Sequence, residues 1–280
     1  MALDDEDLMV FSVLICSLGA ASLARSIKSV FADHYSHLEV VLVIDNPNFD
    51  PKPILEDCLS ASEFLRVVII NNSKNVGLTR SLNIGLAQCK GKYLCRLDDD
   101  DYFIPGRLQK VQVFFENNPD VAIVTGGAKV QMAIGESYCL SVPQSHKKIE
   151  KSLLRRNILV HSALHVRLDL FKQLGGYNED FYYAQDYEMY LRLLRAGVKF
   201  AGLQTLLVYR QEGQSSITVK KHRHQALYSL AAISLHHART WESENKIVKA
   251  IVVAFIRFYA PKVVRTIVRK FRSLKRNVSL

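Results

Sequence analysis

The chain reads as an α/β protein with a mostly parallel central sheet followed by C-terminal helices, and two observations predict the sheet. Apolar runs rich in Val, Ile and Leu at Met9 to Cys16, Glu39 to Asp45 and Arg66 to Asn72, with a fourth at Tyr93 to Leu97, have the make-up of strands buried on both faces. Between them lie segments of helical spacing or helix-forming composition, Ala21 to Phe31, Gly77 to Gln88 and Pro105 to Phe115. Such alternation of strand and helix gives parallel strands joined by right-handed crossovers.

In order along the chain, the runs end at Cys16-Ser17, Asp45-Asn46, Asn71-Asn72 and Asp98. Ligands of open parallel sheets bind beyond the carboxyl ends of the strands, so these ends are expected to gather at one edge. The order of the strands in the sheet is not legible. The fourth strand runs into four consecutive aspartates, Asp98 to Asp101. Like charges packed this closely repel one another unless a cation meets them, and oxygen ligands suit Mg²⁺ or Mn²⁺. The run is therefore expected to hold a metal and a diphosphate; the competing reading is a solvated acidic turn. Arg96, inside the strand, must pair with a nearby carboxylate or escape to solvent at the sheet edge.

The 280 residues, 49% of them hydrophobic, suffice for a large core and an appendage. Acidic residues Asp4 to Asp7 precede the first apolar run, where a secretion signal needs a basic start, so secretion is not expected. Five cysteines, Cys16, Cys58, Cys89, Cys95 and Cys139, show no CxxC pairing, which argues against a disulfide framework or a zinc site. The histidine pairs His161/His165, His222/His224 and His236/His237 have no companion Cys and no HExxH form, so they are read as core or surface residues.

The net charge of +10 is concentrated near the C-terminus, with ten Lys and Arg residues from Lys246 to Arg276 and no acid after Glu244. Apolar residues Ile247, Ile251, Phe255 and Phe258, then Val263, Ile267, Phe271 and Leu274, recur at helical spacing, and Pro261 is expected to divide them into two amphipathic helices. Lys249 and Arg257 interrupt the apolar stretch, which is also shorter than the roughly 20 residues a spanning helix needs. The tail is expected to lie on an anionic membrane surface; a helical pair packed on the body is the alternative. Nucleic acid is not an expected partner, because no recognised binding motif accompanies the charge.

The segments "LVIDNP", "NNSKNVGLTRSLNIGLAQCKGKYLCRLDDDDYFIPGRLQ", "GGYNEDFYYAQDYEMYLRLLRAG" and "LVYRQEGQSSI", in this order, resemble the inverting glycosyltransferases of family 2, which have the GT-A fold. The resemblance spans about Val10 to Ser216 and is closest to bacterial exopolysaccharide, capsule and lipopolysaccharide transferases. It implies a GT-A catalytic domain over residues 1–218, with a nucleotide-binding half 8–101 and an acceptor half 102–218, then a basic helical region 219–280. It implies that Asp45 reads the nucleotide base, beside the backbone of Cys16. In the family's DxD motif the first aspartate lies near the sugar and ribose and also serves the metal, and the last binds the metal; these map to Asp98 and Asp100, with Asp99 as a further donor contact. Arg80 is then placed to reach the diphosphate, Gly176 and Tyr177 face the acceptor, and Asp186 is the base.

The chain departs from the family pattern at three places. Cys16-Ser17-Leu18-Gly19 replaces a first-strand ending with a Pro and a Tyr-Asn pair, Ile44-Asp45-Asn46-Pro47 replaces "DDGS", and Gln185 replaces the Glu before the base. The Q-x-x-R-W signature of processive synthases is absent, so one sugar per encounter is expected. The expectation is a metal-dependent inverting transferase. It moves one sugar from a nucleotide donor, UDP-linked by preference, to a lipid-carried or surface glycan at the cytoplasmic face of the inner membrane. A sugar nucleotidyltransferase and a non-catalytic membrane-associated nucleotide- or glycan-binding protein are the alternatives; "SLGAASLARS" is a poor version of the glycine-rich basic loop the former needs.

Overall fold

The computed structural model describes residues 10–132, 135–212 and 222–238. The chain divides into two compact units, Met1–Gly213 and Gln214–Leu280. In the first, strands β1 (Phe11–Ser17), β2 (Leu38–Ile44), β3 (Val67–Asn71) and β4 (Tyr93–Arg96) pair in parallel. Helix α1 (Leu23–Phe31) links the first two, α2 (Lys52–Cys58) and α3 (Ala61–Phe64) the next two, and α4 (Leu78–Gln88) returns to β4.

The chain then adds β5 (Tyr102–Phe103), α5 (Arg107–Asn117), β6 (Ile123–Met132), β7 (Ser137–Leu140), α6 (His146–Leu153), β8 (His165–Arg167), α7 (Leu168–Gln173), α8 (Gln185–Arg195) and β9 (Phe200–Glu212). One nine-stranded sheet results, in the order β3-β2-β1-β4-β8-β6-β9-β5, with β7 paired to β6. Strand β8 runs antiparallel to both β4 and β6. It is a mixed sheet with a parallel half, similar to GT-A folds.

The parallel half follows from the runs read in the sequence: all seven residues of β1 and of β2 are buried, whereas β3, at the sheet edge, is only partly covered. Helix α1 turns Leu23, Ile27, Val30 and Phe31 inward, the i, i+4, i+7, i+8 face of an amphipathic helix. Helix α4 approaches the sheet at Gly85, where a Cβ would lie 2.3 Å from Leu14 Cδ1, so only glycine fits. After β2 and β3 are placed outward from β1, β4 returns to β1's other side. The strand order thus reverses between β1 and β4, the place where ligands of open sheets bind in the crevice beyond the carboxyl ends.

Of the His161/His165 pair, His165 is buried in the core and His161 is half-buried against the Tyr177 hydroxyl, and all five cysteines are free thiols. In the second unit the described residues form one helix, α9 (His222–Ala238), which buries Ala226, Ala232 and Ile233 and exposes Leu227 and Leu235. Among the described residues no helix is long and apolar enough to cross a membrane. The basic amphipathic helices expected from Lys246 onward lie outside the described residues.

Candidate active site

Asp45, at the end of β2, is buried and its carboxylate is occupied by the loop that follows β3. Oδ1 accepts from Asn72 Nδ2 at 2.9 Å and from Val76 N at 2.8 Å, and Oδ2 accepts from Gly77 N at 2.9 Å. Gly77 takes φ +89, a left-handed value that favours glycine, and its free side faces open space. Asp45 thus fixes the floor of the crevice and keeps unused acceptor capacity on Oδ2. Cys16, at the end of β1, is nearly buried, and burial, opposed by Arg96, pushes its thiol up to about 12, so it is a neutral, unreactive group here.

The aspartate run forms a turn clamped from two sides. Ser17 Oγ donates to Asp99 Oδ2 at 2.5 Å, and Ser26 Oγ donates to the Asp99 carbonyl at 2.8 Å. From the other side, Gln211 N of β9 donates to Asp101 Oδ1 at 3.1 Å. Arg96 is fully buried and meets Asp98 Oδ1 at 2.6 Å, the pairing its position in the strand demands, while Ser162 Oγ donates to Asp98 Oδ2 at 2.7 Å. Burial works to raise the Asp98 pKa, but Arg96, with His161 and Ser162, outweighs it and holds this carboxyl below its ordinary range.

Asp98, Asp100 and Asp101 each offer an oxygen, and these oxygens lie within 4.8 Å of one another. The expected metal set of Asp98 and Asp100 therefore gains Asp101. Asp99 is turned onto Ser17 by the strand-end hydroxyl. Asp101 is 1% exposed, and its Oδ2 is buried without a hydrogen-bond partner. An orphaned carboxylate oxygen beside two others costs several kcal/mol if ionised with nothing to meet it, on the order of an unpaired buried charge. Burial and then the Asp98 and Asp99 charges push Asp100 up to about 6, and burial with Asp98 and Asp100 pushes Asp101 up to about 7. Three hard oxygen donors, one of them orphaned, fit Mg²⁺ or Mn²⁺.

Asp186 lies in the first turn of α8, where acids are favoured by the helix dipole. The residue before the helix, Ala184, is buried with φ +53, a left-handed backbone that costs an alanine about 1–2 kcal/mol. This turn swings the start of α8 so that Asn157 Nδ2 reaches Asp186 Oδ2 at 2.7 Å. Burial raises the Asp186 pKa, the Asn157 bond opposes it, and the Asp98 charge adds to the rise, so the two carboxylates share one electrostatic neighbourhood.

The acceptor-side residues sit close by. Gly176, at φ +59, leaves no room for a Cβ, which would stand 2.9 Å from Asn83 Oδ1. Tyr177 is buried and its hydroxyl lies 2.8 Å from His161 Nε2, while its backbone N–H and C=O are both bonded to the Asn83 amide. Arg80 Nε lies 3.3 Å from Glu179 Oε2 with the side chain about half exposed, and Glu179 follows the Tyr177 loop that Asn83 ties to α4.

Arg96 is the main cation on Asp98, and Arg210 of β9 adds a smaller positive influence. Its charge lowers the pKa of Asp98, Asp100, Asp101 and Asp186 alike. Its strand is the thirteen-residue β9, which the sequence showed only as the motif "LVYRQEGQSSI"; nothing local there places Arg210 opposite a turn more than a hundred residues earlier. Arg25 is a second unforeseen contact, donating from Nη2 to Gln211 Oε1 at 2.7 Å and to the Asp100 carbonyl at 3.3 Å.

The model of glycosyl transferase family 2 matches residues 12–162 of this chain. The amylovoran biosynthesis glycosyltransferase AmsE of Erwinia amylovora is 27% identical over 221 residues, 76% of this chain and 80% of that one. The UDP-Gal:alpha-D-GlcNAc-diphosphoundecaprenol beta-1,3-galactosyltransferase of Escherichia coli is 23% identical over 278 residues, 95% of this chain and 99% of that one. Among solved structures, the UDP complex of S. aureus TarS 1–349 is similar in fold, with a TM-score of 0.62 at 18% identity over 90% of this chain and 72% of that one.

Proposed function

Because the chain belongs to glycosyl transferase family 2, we propose that it moves a single sugar, with inversion, from a UDP-linked donor to a hydroxyl of a lipid-linked or surface glycan in bacterial polysaccharide synthesis. One observation carries this reading: an aspartate with a raised pKa, Asp186, is held by Asn157 in the same electrostatic neighbourhood as the Asp98, Asp100 and Asp101 cluster.

The crevice at the ends of β1, β2 and β4 takes the nucleotide. Asp45, with the free acceptor capacity of Oδ2, faces the base together with the backbone of Cys16. Asp98, Asp100 and Asp101 would hold a divalent ion, which when bound would neutralise diphosphate charge. Arg210 adds a fixed positive charge beside the same oxygens, where the leaving nucleotide gains negative charge. Asp186 takes the proton of the acceptor hydroxyl as that oxygen attacks C1 of the sugar, while the bond from C1 to the diphosphate oxygen breaks and its electrons leave with the nucleotide. A base on the acceptor side and a leaving group on the other give a single displacement, hence inversion. Gly176 and Tyr177, braced by Asn83, line the acceptor side.

Support for a UDP-linked donor comes from the TarS complex, and support for a lipid-carried acceptor from the name of the E. coli relative. The basic C-terminal segment supports a location at the cytoplasmic face of the inner membrane, held peripherally by anionic lipid. The reading is tested by a panel of nucleotide sugars with Mn²⁺, scored by thermal shift and by nucleotide release. A bound donor raises the stability of the native state, so UDP-sugars are expected to raise the melting midpoint in the presence of metal. No shift and no release with any nucleotide sugar would end it.

A further inference from the structure

The body of the protein carries a cationic patch of its own next to the proposed base. Residues 147–156 hold five cations, Lys147, Lys148, Lys151, Arg155 and Arg156, against one acid, Glu150. All five cations are exposed. None of them forms an ion pair among the described residues. Unneutralised charge of one sign on one short stretch is an electrostatic site for an anion.

The patch is tied to α8 at both ends. Helix α6 buries Ile149 and Leu153, and the Leu153 carbonyl accepts from Tyr187 Oη at 2.5 Å. Four residues on, Asn157 donates to Asp186 at 2.7 Å. Arg155 and Arg156, whose N–H groups both bond to the Ser152 carbonyl, therefore sit in a short bridge anchored to two adjacent residues of α8. They lie only about 7 and 4 Å of chain from Asn157. An arginine pair offers the planar donor forks that suit phosphate oxygens.

Resting on the transferase reading, we infer that Arg155 and Arg156 bind the diphosphate of a lipid-linked sugar whose own hydroxyl is presented to Asp186. In such an acceptor the diphosphate is one pyranose ring away from the attacking oxygen, a separation that matches cations one and two residues from the group that orients the base. The acceptor is then a short lipid-diphosphate sugar, near the start of a chain, because on a long glycan the diphosphate lies too far from the growing end to meet both.

The test measures binding of the full chain to neutral vesicles carrying a polyprenyl diphosphate N-acetylglucosamine, the same sugar on an uncharged alkyl chain, or phosphatidylglycerol. The wild type is expected to prefer the diphosphate vesicles over the uncharged ones by at least about tenfold, the scale of hydrogen bonds to charged groups. Arg155→Gln/Arg156→Gln is expected to lose most of that preference, and Arg155→Lys/Arg156→Lys to recover part of it. Unchanged preference in the Gln pair overturns the inference. So does an equal loss on phosphatidylglycerol, which makes the patch a general lipid-headgroup surface. Nucleotide release by the same preparations scores the transferase reading separately, since vesicle binding through these arginines does not depend on turnover.

Discussion

Asn157 donates its amide to Asp186 at 2.7 Å, joining the segment after α6 to the first turn of α8. Asp186→Asn is expected to bind UDP as the wild type does and to transfer at least ~100-fold more slowly, the low end of a general-base contribution. The base must be ionised, so transfer falls as pH drops through its raised pKa. Asn157→Ala removes the bond that lowers that pKa, and the acid limb of the rate profile should move to higher pH. A limb that stays in place or moves down would show that Asn157 does not act on the base.

Asp100 and Asp101, at about 6 and about 7, bind protons more tightly in the folded chain than an ordinary aspartate near 3.8. Their contribution to stability is present at low pH and lost as pH rises through those values, so the metal-free protein should melt at falling temperature between about pH 4 and about pH 7. Mn²⁺ should restore the midpoint at pH 8. Asp101→Ala is expected to abolish that restoration as fully as Asp100→Ala, because Asp101 contributes the orphaned oxygen. Melting curves in chelator and in Mn²⁺ across this range decide it, and a metal response that survives Asp101→Ala would sink the three-carboxylate set.

Asp45→Ala strips three donors, Asn72 Nδ2, Val76 N and Gly77 N, of their common acceptor. Unsatisfied buried donors cost about 1–3 kcal/mol each, less where the loop can turn them to water. The expected result is a loss of about 2 kcal/mol or more in denaturant unfolding together with weaker donor binding. Donor affinity equal to wild type in a folded Asp45→Ala protein would remove Asp45 from the nucleotide site.

Arg210 acts on four acids at once, so Arg210→Met is expected to weaken UDP much more than uridine, since the nucleoside has no diphosphate. Calorimetric titration with both ligands reads the difference. Equal losses for the two would mean that Arg210 supports the fold of the crevice and not the diphosphate.

Deleting Lys246 to Leu280 removes ten cations and is expected to free the protein from anionic vesicles while transfer to a soluble acceptor analogue persists. Added salt should weaken binding of the full chain, because charges are screened beyond a Debye length of about 8 Å at physiological ionic strength. Flotation assays at two salt concentrations measure both effects; equal flotation of truncated and full-length protein would leave the tail without a membrane role.

Much of this was legible in the sequence because it is local. Continuous apolar runs marked the buried strands, since a strand covered on both faces has no polar side to alternate, and a carboxylate run after a strand marked a ligand edge. Even the Arg96 partner was foreseeable, for a buried guanidinium beside four aspartates has nowhere else to go. What the tertiary structure decided is what depends on which distant segments meet. Strand order put Ser17 beside Asp99, which turned that aspartate aside and left Asp101 in the cluster. The Tyr177 loop brought Glu179 to Arg80, and β9 brought Arg210 opposite the acids. Asn157 reached Asp186 only through a left-handed turn at Ala184, a residue whose type gives no sign of it. Charge and hydrogen-bond pairing act through space across a few ångströms, whereas sequence patterns report only the neighbours along the chain.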